Sequence, residues 1–460
     1  MRAEITGFVL FTLTAKLAAA QATARKSIDA VNTPCKEIGY LTKLRDKFGS
    51  QIAAARARQQ ELADDIIVLT AATALANDAT TQAGFTTLLA LTALRKQQQE
   101  QELNAGKKAL EDAVLTLNSR IAQIKVAIFT NDKTTTVVGQ AKAGTGSGNW
   151  LNSAEKKCDI AVTFQQTDTA DCSADLTSGD HITAAISELK NLGVVKLHPD
   201  KFFHIPELTL DARNKGDVSS FSNSVFVAGA CLNSGQSIGT ADKGFGVKEA
   251  KMKASPQPTD VDLHQQSTAN KPCANHVIPP NSLLTTDKAV ANALCASKGI
   301  EIKLSPRPIK QDLAELRVDT EMPTIAQIIM TGSDKTGLPA DKKEEIVDNL
   351  CGEKGTKVQQ KWIQPLENKQ ITFKIGAETK QPKVSEVATT TNIGYAMAAA
   401  FYQGNQKQSQ AATAGAESNQ DGESKEKKGE KTIGNKEGEK ITPGECTAAE
   451  EKDCDKTKCA

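Results

Sequence analysis

The chain has 460 residues, with 56 Lys and Arg set against 55 Asp and Glu, and only 4% of its residues are aromatic. A near-neutral balance argues against a nucleic-acid protein, which carries a basic stripe or patch. Few rings argue against a ring-lined ligand pocket and suit helices packed through small and aliphatic side chains. The length leaves room for more than one domain.

Residues 1–22 read as a secretory signal peptide. Arg2 supplies the positive start, Ile5 to Ala15 the short apolar run, and Ala18, Ala19, Ala20 and Ala22 the small residues of a cleavage site. Export means an oxidising compartment. The ten cysteines therefore read as disulfides before metal thiolates.

Next comes the strongest periodicity. Leu41, Phe48, Ala55, Leu62 and Leu69 recur every seventh residue. Ile38, Ile52 and Ile66 form a second series, with Arg45 and Gln59 in its remaining places. The pattern is an a/d seam with polar interruptions, which fix register or mark a seam that drifts. After a break at Asn77 to Thr81, Leu103, Leu110, Leu117 and Ile124 repeat the spacing, with Val114, Ile121 and Ile128 beside them. The polar run Arg95 to Glu102 reads as a solvated part of this second helix. Two such runs predict an antiparallel helical hairpin. Arms of roughly 40 to 45 residues would each be about 60 to 70 Å long, which predicts a rod.

Beyond Thr130 the character changes. Residues 134–148 are rich in Thr, Gly and Ala, and Cys158 to about Pro280 reads as loops with a few strands, for example Ser224 to Gly229. Helical patterns return at Thr286 to Lys298, Ile309 to Leu316, Lys342 to Leu350 and Asn392 to Gln403. Residues 404–440 are mostly Gln, Ser, Gly, Glu, Lys and Ala, the composition of a disordered hinge. Residues 441–460 hold Cys446, Cys454 and Cys459 among charges, as at the start of a small disulfide-rich domain. The elongated helical domain thus occupies 23–403. The fold class is mainly α: a long antiparallel coiled-coil hairpin with disulfide-stapled loops, then a flexible linker and a cysteine-rich module.

Chemistry-bearing patterns are weak. Gly144 to Gly148 lacks the Lys-Ser/Thr ending of a phosphate loop and reads as a flexible loop. His198 and His204 flank a short segment, and Cys273 and His276 stand at C-x2-H spacing, but no C-x2-C pair completes a zinc site. There is no G-x-S-x-G nucleophile motif. The expectation is no enzyme, no catalytic residue, no cofactor and no metal.

The order of these features resembles one family. The stretch TPCKEIGYLTKL with its hairpin is similar to the A-type N-terminal domain of trypanosome variant surface glycoproteins, and the ending GECTAAEEKDCDKTKCA to their C-terminal domain. The resemblance covers nearly the whole chain. It implies a homodimer of packed hairpins and a glycosylphosphatidylinositol anchor at the C-terminal end. It also implies a dense coat on the outer face of the plasma membrane, met by host antibodies and evading them by antigenic variation. The alternative is a host-protein receptor or serum-resistance protein on the same scaffold.

Family order implies Cys35 paired with Cys172 and Cys158 with Cys231. Cys273 with Cys295 comes next, and Cys351 is the odd cysteine. The sequence alone leaves the connectivity open. The chain departs from the family pattern in having no hydrophobic tail before Ala460 and no N-x-S/T sequon.

Overall fold

A computed structural model describes residues 25–417 except 133, 145–156, 167–171, 173–180, 218–223, 236, 335–338 and 353–354. The signal-peptide reading, residues 145–148 of the glycine-rich stretch, the linker beyond 417 and the module with Cys446, Cys454 and Cys459 lie outside the described residues. The chain divides into two units, Met1–Asn405 and Gln406–Ala460. The first contains every side chain discussed below; the last described helix ends in residues of the second.

A one-turn helix, α1 (Lys26–Asp29), precedes two long helices, α2 (Pro34–Ala74) and α3 (Ala79–Ala127). Both begin where local chemistry favours it. The Thr33 side chain accepts the Lys36 N–H at the start of α2, and Pro34 sits in the first turn, where it has no N–H to leave unpaired. At the start of α3 the Asp78 carboxylate accepts both the Thr81 N–H and its hydroxyl. The helices have 41 and 49 residues, or about 60 and 75 Å at 1.5 Å per residue. They pack against each other along the expected seam. Leu41, Phe48, Leu62, Leu69, Leu110, Leu117 and Ile124 are completely buried and Leu103 nearly so.

The companion series holds in part: Ile38, Ile52, Ile121 and Ile128 are buried. On α3 Ala113, Arg120 and Ala127 are buried as well, while Val114 is only half-buried. On α2, Ile66 is half-buried and Asp65 takes the inner place. A straight helix turns about 20° per heptad relative to a 3.5 repeat, so the seam walks around each helix. The polar run Arg95 to Glu102 is not solvated throughout: Arg95 and Gln99 point inward and are buried. The seam therefore continues through it in polar form.

Two apolar cores occupy the two ends of the hairpin. One gathers Ile38 to Ala55 of α2, Leu103 to Ile128 of α3, and residues from α1 and from 182–302. The other gathers Val68 to Leu75, Phe85 to Leu91, and residues from 309–400. Leu62 is buried between them and belongs to neither.

The first core is roofed by short elements: α4 (Ala185–Glu188), strand β3 (Val194–Leu197) paired antiparallel with β8 (Thr259–Asp262), and α5 (Asp287–Ser297). Beyond lies β structure. Strand β1 (Thr134–Ala143) pairs antiparallel with β2 (Cys158–Gln166). A four-stranded antiparallel sheet runs in the order β4 (Leu208–Lys215), β7 (Gly244–Met252), β6 (Ala230–Leu232), β5 (Val225–Val227). The β5–β6 turn needs Gly229: its φ is +73°, and a Cβ there would meet the Val247 carbonyl oxygen at 2.7 Å. Strand β1 begins with five β-branched residues, Thr134 to Val138, a strand signal the neighbouring glycines had masked.

The second core is covered by α6 (Leu313–Arg317), α7 (Met322–Thr331), α8 (Ala340–Cys351), the hairpin β9 (Phe373–Ile375) and β10 (Glu378–Lys380), and α9 (Ile393–Glu417). Helix α7 was not anticipated. Helix α9 runs past the Gln403 end expected for it, so the hinge does not begin at 404. Gly404 is buried, and a Cβ there would meet the Ala74 carbonyl oxygen at 2.0 Å. In this sequence that glycine is a close-packing residue, not the first link of a linker.

Candidate functional site

Three described disulfides staple the loops: Cys35–Cys172, Cys158–Cys231 and Cys273–Cys295. The first two are the pairs implied by family order, the third is the pair expected next, and Cys351 is a free, buried thiol. Cys35 lies in the first turn of α2, so its bridge ties the start of the hairpin to the loop region. Cys158 and Cys231 join β2 to β6, and Cys273 and Cys295 join a loop to α5. The closed loops span 137, 73 and 22 residues. In the chain-entropy account they stabilise the fold by about 5, 4 and 3 kcal/mol respectively.

Next to the Cys35 staple lies a buried ion network. Glu37 of α2, Arg120 of α3 and His198 after β3 are all essentially without exposure. Glu37 accepts from Arg120 Nε at 3.2 Å and from the His198 N–H at 2.7 Å, and its Oε2 lies 2.6 Å from His198 Nδ1. Arg120 also donates to the carbonyl oxygens of Thr285 and His198. The Asp200 carboxylate stands 3.6 Å from it and also accepts the Asp287 N–H at the start of α5. The Phe203 ring lies 4.4 Å from the guanidinium carbon. One guanidinium thus holds both long helices, the His198–Phe203 segment and the approach to α5 together. A planar fork with five donors can do this where a point-like ammonium cannot.

A second polar set crosses the middle of the hairpin. Arg307 grips Asp65 with two hydrogen bonds of 2.9 and 2.7 Å and reaches Glu61 at 3.2 Å. Gln99 accepts the Ser305 N–H at 2.8 Å, Arg58 donates to the Ser305 carbonyl oxygen, and Arg95 pairs with Asp319. Burial pushes the Asp65 carboxyl upward from its ordinary range, against the opposing pull of Arg307. These groups tie Ser305, Arg307 and Asp319 to the hairpin.

Sequence reasoning did not single out Glu37, Arg120, His198, Asp65 or Arg307 as a linked set. The available signal was Arg120, three residues beyond Leu117 in the 4-3 spacing of the seam. The other sequence candidates separate. His198 is in the network, whereas His204 is exposed. Cys273 is in a disulfide, while His276 Nε2 faces the Asp262 carbonyl oxygen at 2.6 Å. Among the described residues no group of three His, Cys, Asp or Glu side chains is placed to hold a metal, and no helix is long and apolar enough to cross a membrane.

Cys351 sits against Trp362, whose indole N–H donates to the Cys351 carbonyl oxygen at 2.9 Å. Burial pushes its thiol up to about 12. It should therefore stay protonated and resist iodoacetamide at pH 8 in the folded protein, yet react fully in urea. Rapid labelling of the native chain at Cys351, read by peptide mass, would contradict this burial.

No protein-family model matches the chain. A curated relative, variant surface glycoprotein ILTAT 1.22 of Trypanosoma brucei brucei, is 23% identical over 403 residues, covering 86% of this chain and 82% of that protein. Among solved structures, variant surface glycoprotein VSGsur bound to suramin superposes with a TM-score of 0.68 at 20% identity, over 83% of this chain and 99% of that one. VSGsur described without a ligand gives 0.65 at 21% identity, over the same shares. These structures show that the fold is shared. The chain is thus similar along most of its length to a curated trypanosome variant surface glycoprotein and shares the fold of solved variant surface glycoproteins.

Proposed function

We propose that this protein is a surface-coat component whose work is steric. It stands on the outer face of the plasma membrane as a dense layer, shields what lies beneath, and varies its exposed loops to evade host antibody. The hairpin carries this reading. Its seam, staples and buried ion network hold the scaffold from within, leaving loops whose sequence packing does not constrain. The chain's own part in an anchor lies in the C-terminal module, where a glycosylphosphatidylinositol group would tether it to the membrane.

The coat reading is tested on cells expressing the chain at graded density. Antibody binding to an invariant membrane protein should fall as density rises and recover when the coat is shed. Undiminished binding at full density would remove the shielding role. Capture of one stoichiometric serum protein at low copy number would instead favour the receptor alternative.

The homodimer belongs to the same proposal. Leu115 and Val126 of α3 are exposed at 68% and 62%. At 100° per residue they share one outer face of the helix, which suits burial against a second copy. Changing Leu115 and Val126 together to Glu should convert the dimer to a monomer in sedimentation equilibrium. A double variant that sediments as the unaltered protein does would show that this face is not the contact.

A further inference from the structure

The three staples are not equivalent in their surroundings. Of the six cysteines in the described disulfides, Cys273 is exposed; the other five are half-buried or buried. Its partner Cys295 is 7% exposed, on the inner face of α5. Against the Cys295 sulfur lies the buried imidazole of His264, with Nε2 at 3.5 Å from Sγ. The other ring nitrogen, Nδ1, faces the Lys271 carbonyl oxygen, an acceptor. With Nδ1 donating to that oxygen, the Nε2 lone pair faces the sulfur.

We propose that the Cys273–Cys295 bridge is a thiol-exchange site, attacked at Cys273 by a small thiol and assisted by His264, while the other two described bridges stay closed. The thiolate attacks the exposed Cys273 sulfur and forms a mixed disulfide there. The Cys273–Cys295 bond breaks, and its electron pair goes to Cys295. The proton released by the attacking thiol is taken up at His264 Nε2 and passed to the Cys295 sulfur, which leaves the imidazole as it began, so the net change is addition of one thiol across the bridge. A second thiol, or the second sulfur of a dithiol, then releases Cys273 and leaves both cysteines reduced. Exchange favours the accessible sulfur as the point of attack and the better-stabilised sulfur as the leaving group, and the two coincide here on different cysteines.

Opening this bridge has a local result. Residues 275–283 contain no helix or strand and are exposed apart from the half-buried His276. The hydrogen bonds at and beside the segment include the Ala274 N–H on the Leu263 carbonyl oxygen at 2.9 Å, His276 on the Asp262 carbonyl oxygen at 2.6 Å, Asn292 on the His276 carbonyl oxygen at 3.2 Å and Gln123 on the Leu283 carbonyl oxygen at 3.4 Å. The segment, with Val277 at 81% and Leu283 at 98% exposure, would be held at fewer points. The short 22-residue separation favours reclosure once the thiol is withdrawn.

The test uses the full chain, graded dithiothreitol, an acid quench, alkylation and peptide mass mapping. Cys273 and Cys295 should be labelled at least about tenfold sooner than Cys35, Cys172, Cys158 or Cys231. Earlier opening of either other bridge would overturn the proposal. With glutathione in place of the dithiol, the adduct should appear on Cys273; an adduct on Cys295 would contradict the assigned direction of attack. His264→Gln should slow opening of this bridge about tenfold with the other two rates unchanged, and an unaltered rate would remove His264 from the step. The order of opening and the adduct position are read in the unaltered protein and do not depend on that variant folding.

Discussion

Glu37→Ala should lower the unfolding free energy by about 3 kcal/mol, because it leaves a fully buried guanidinium without its principal counter-charge. The carboxylate meets Arg120 Nε and two donors of His198. Removing it strands all three in a site with no exposure on either partner. The Asp200 carboxylate, 3.6 Å from Arg120 and about one-third exposed, remains as partial compensation. That places the expectation at the low end of the roughly 3 to 5 kcal/mol typical of a broken buried pair. Urea titration of the oxidised protein measures it. The double variant Glu37→Met with Arg120→Met should be less destabilised than the single variant, since no charge is then left unpaired. A single-variant loss under about 1 kcal/mol would mean that water reaches the site.

Phe48→Ala should cost about 3 to 5 kcal/mol, the usual range for emptying a core ring site. Phe48 is completely buried in the seam of the first core, between helices whose backbones are fixed along their length. The cavity has little room to collapse, so the upper part of the range is expected. Leu115→Ala supplies the contrast: the side chain is 68% exposed on the isolated chain, and the monomer should change by less than about 0.5 kcal/mol. Equal losses at the two positions would show that α2 and α3 do not pack in this register.

The seam was legible in the sequence because Leu, Phe and Ile are rarely gathered on one helical stripe unless that stripe is buried. Leu41, Phe48, Leu110 and Leu117 announce themselves in this way. The polar part was not legible, for a physical reason. A buried Arg95, Gln99 or Asp65 has the same side chain as a solvated one. What distinguishes it is a partner far along the chain: Asp319 for Arg95, Ser305 for Gln99, Arg307 for Asp65. No local window contains both members. The end of α9 failed differently. From Gly404 onward the composition is that of a linker, yet the missing Cβ of Gly404 is what lets α9 approach the end of α2. The β-branched run Thr134 to Val138 was present to be read and was outweighed by composition downstream.

The two apolar cores share no buried residue. Apart from the two long helices, which serve both, residues 182–302 contribute to the first and residues 309–400 to the second. Heritable change can therefore accumulate in one block of the chain without forcing matched change in the other. Exchange of whole blocks between related genes, with a crossover near residues 303–307, would join two halves that each already fit the same pair of helices.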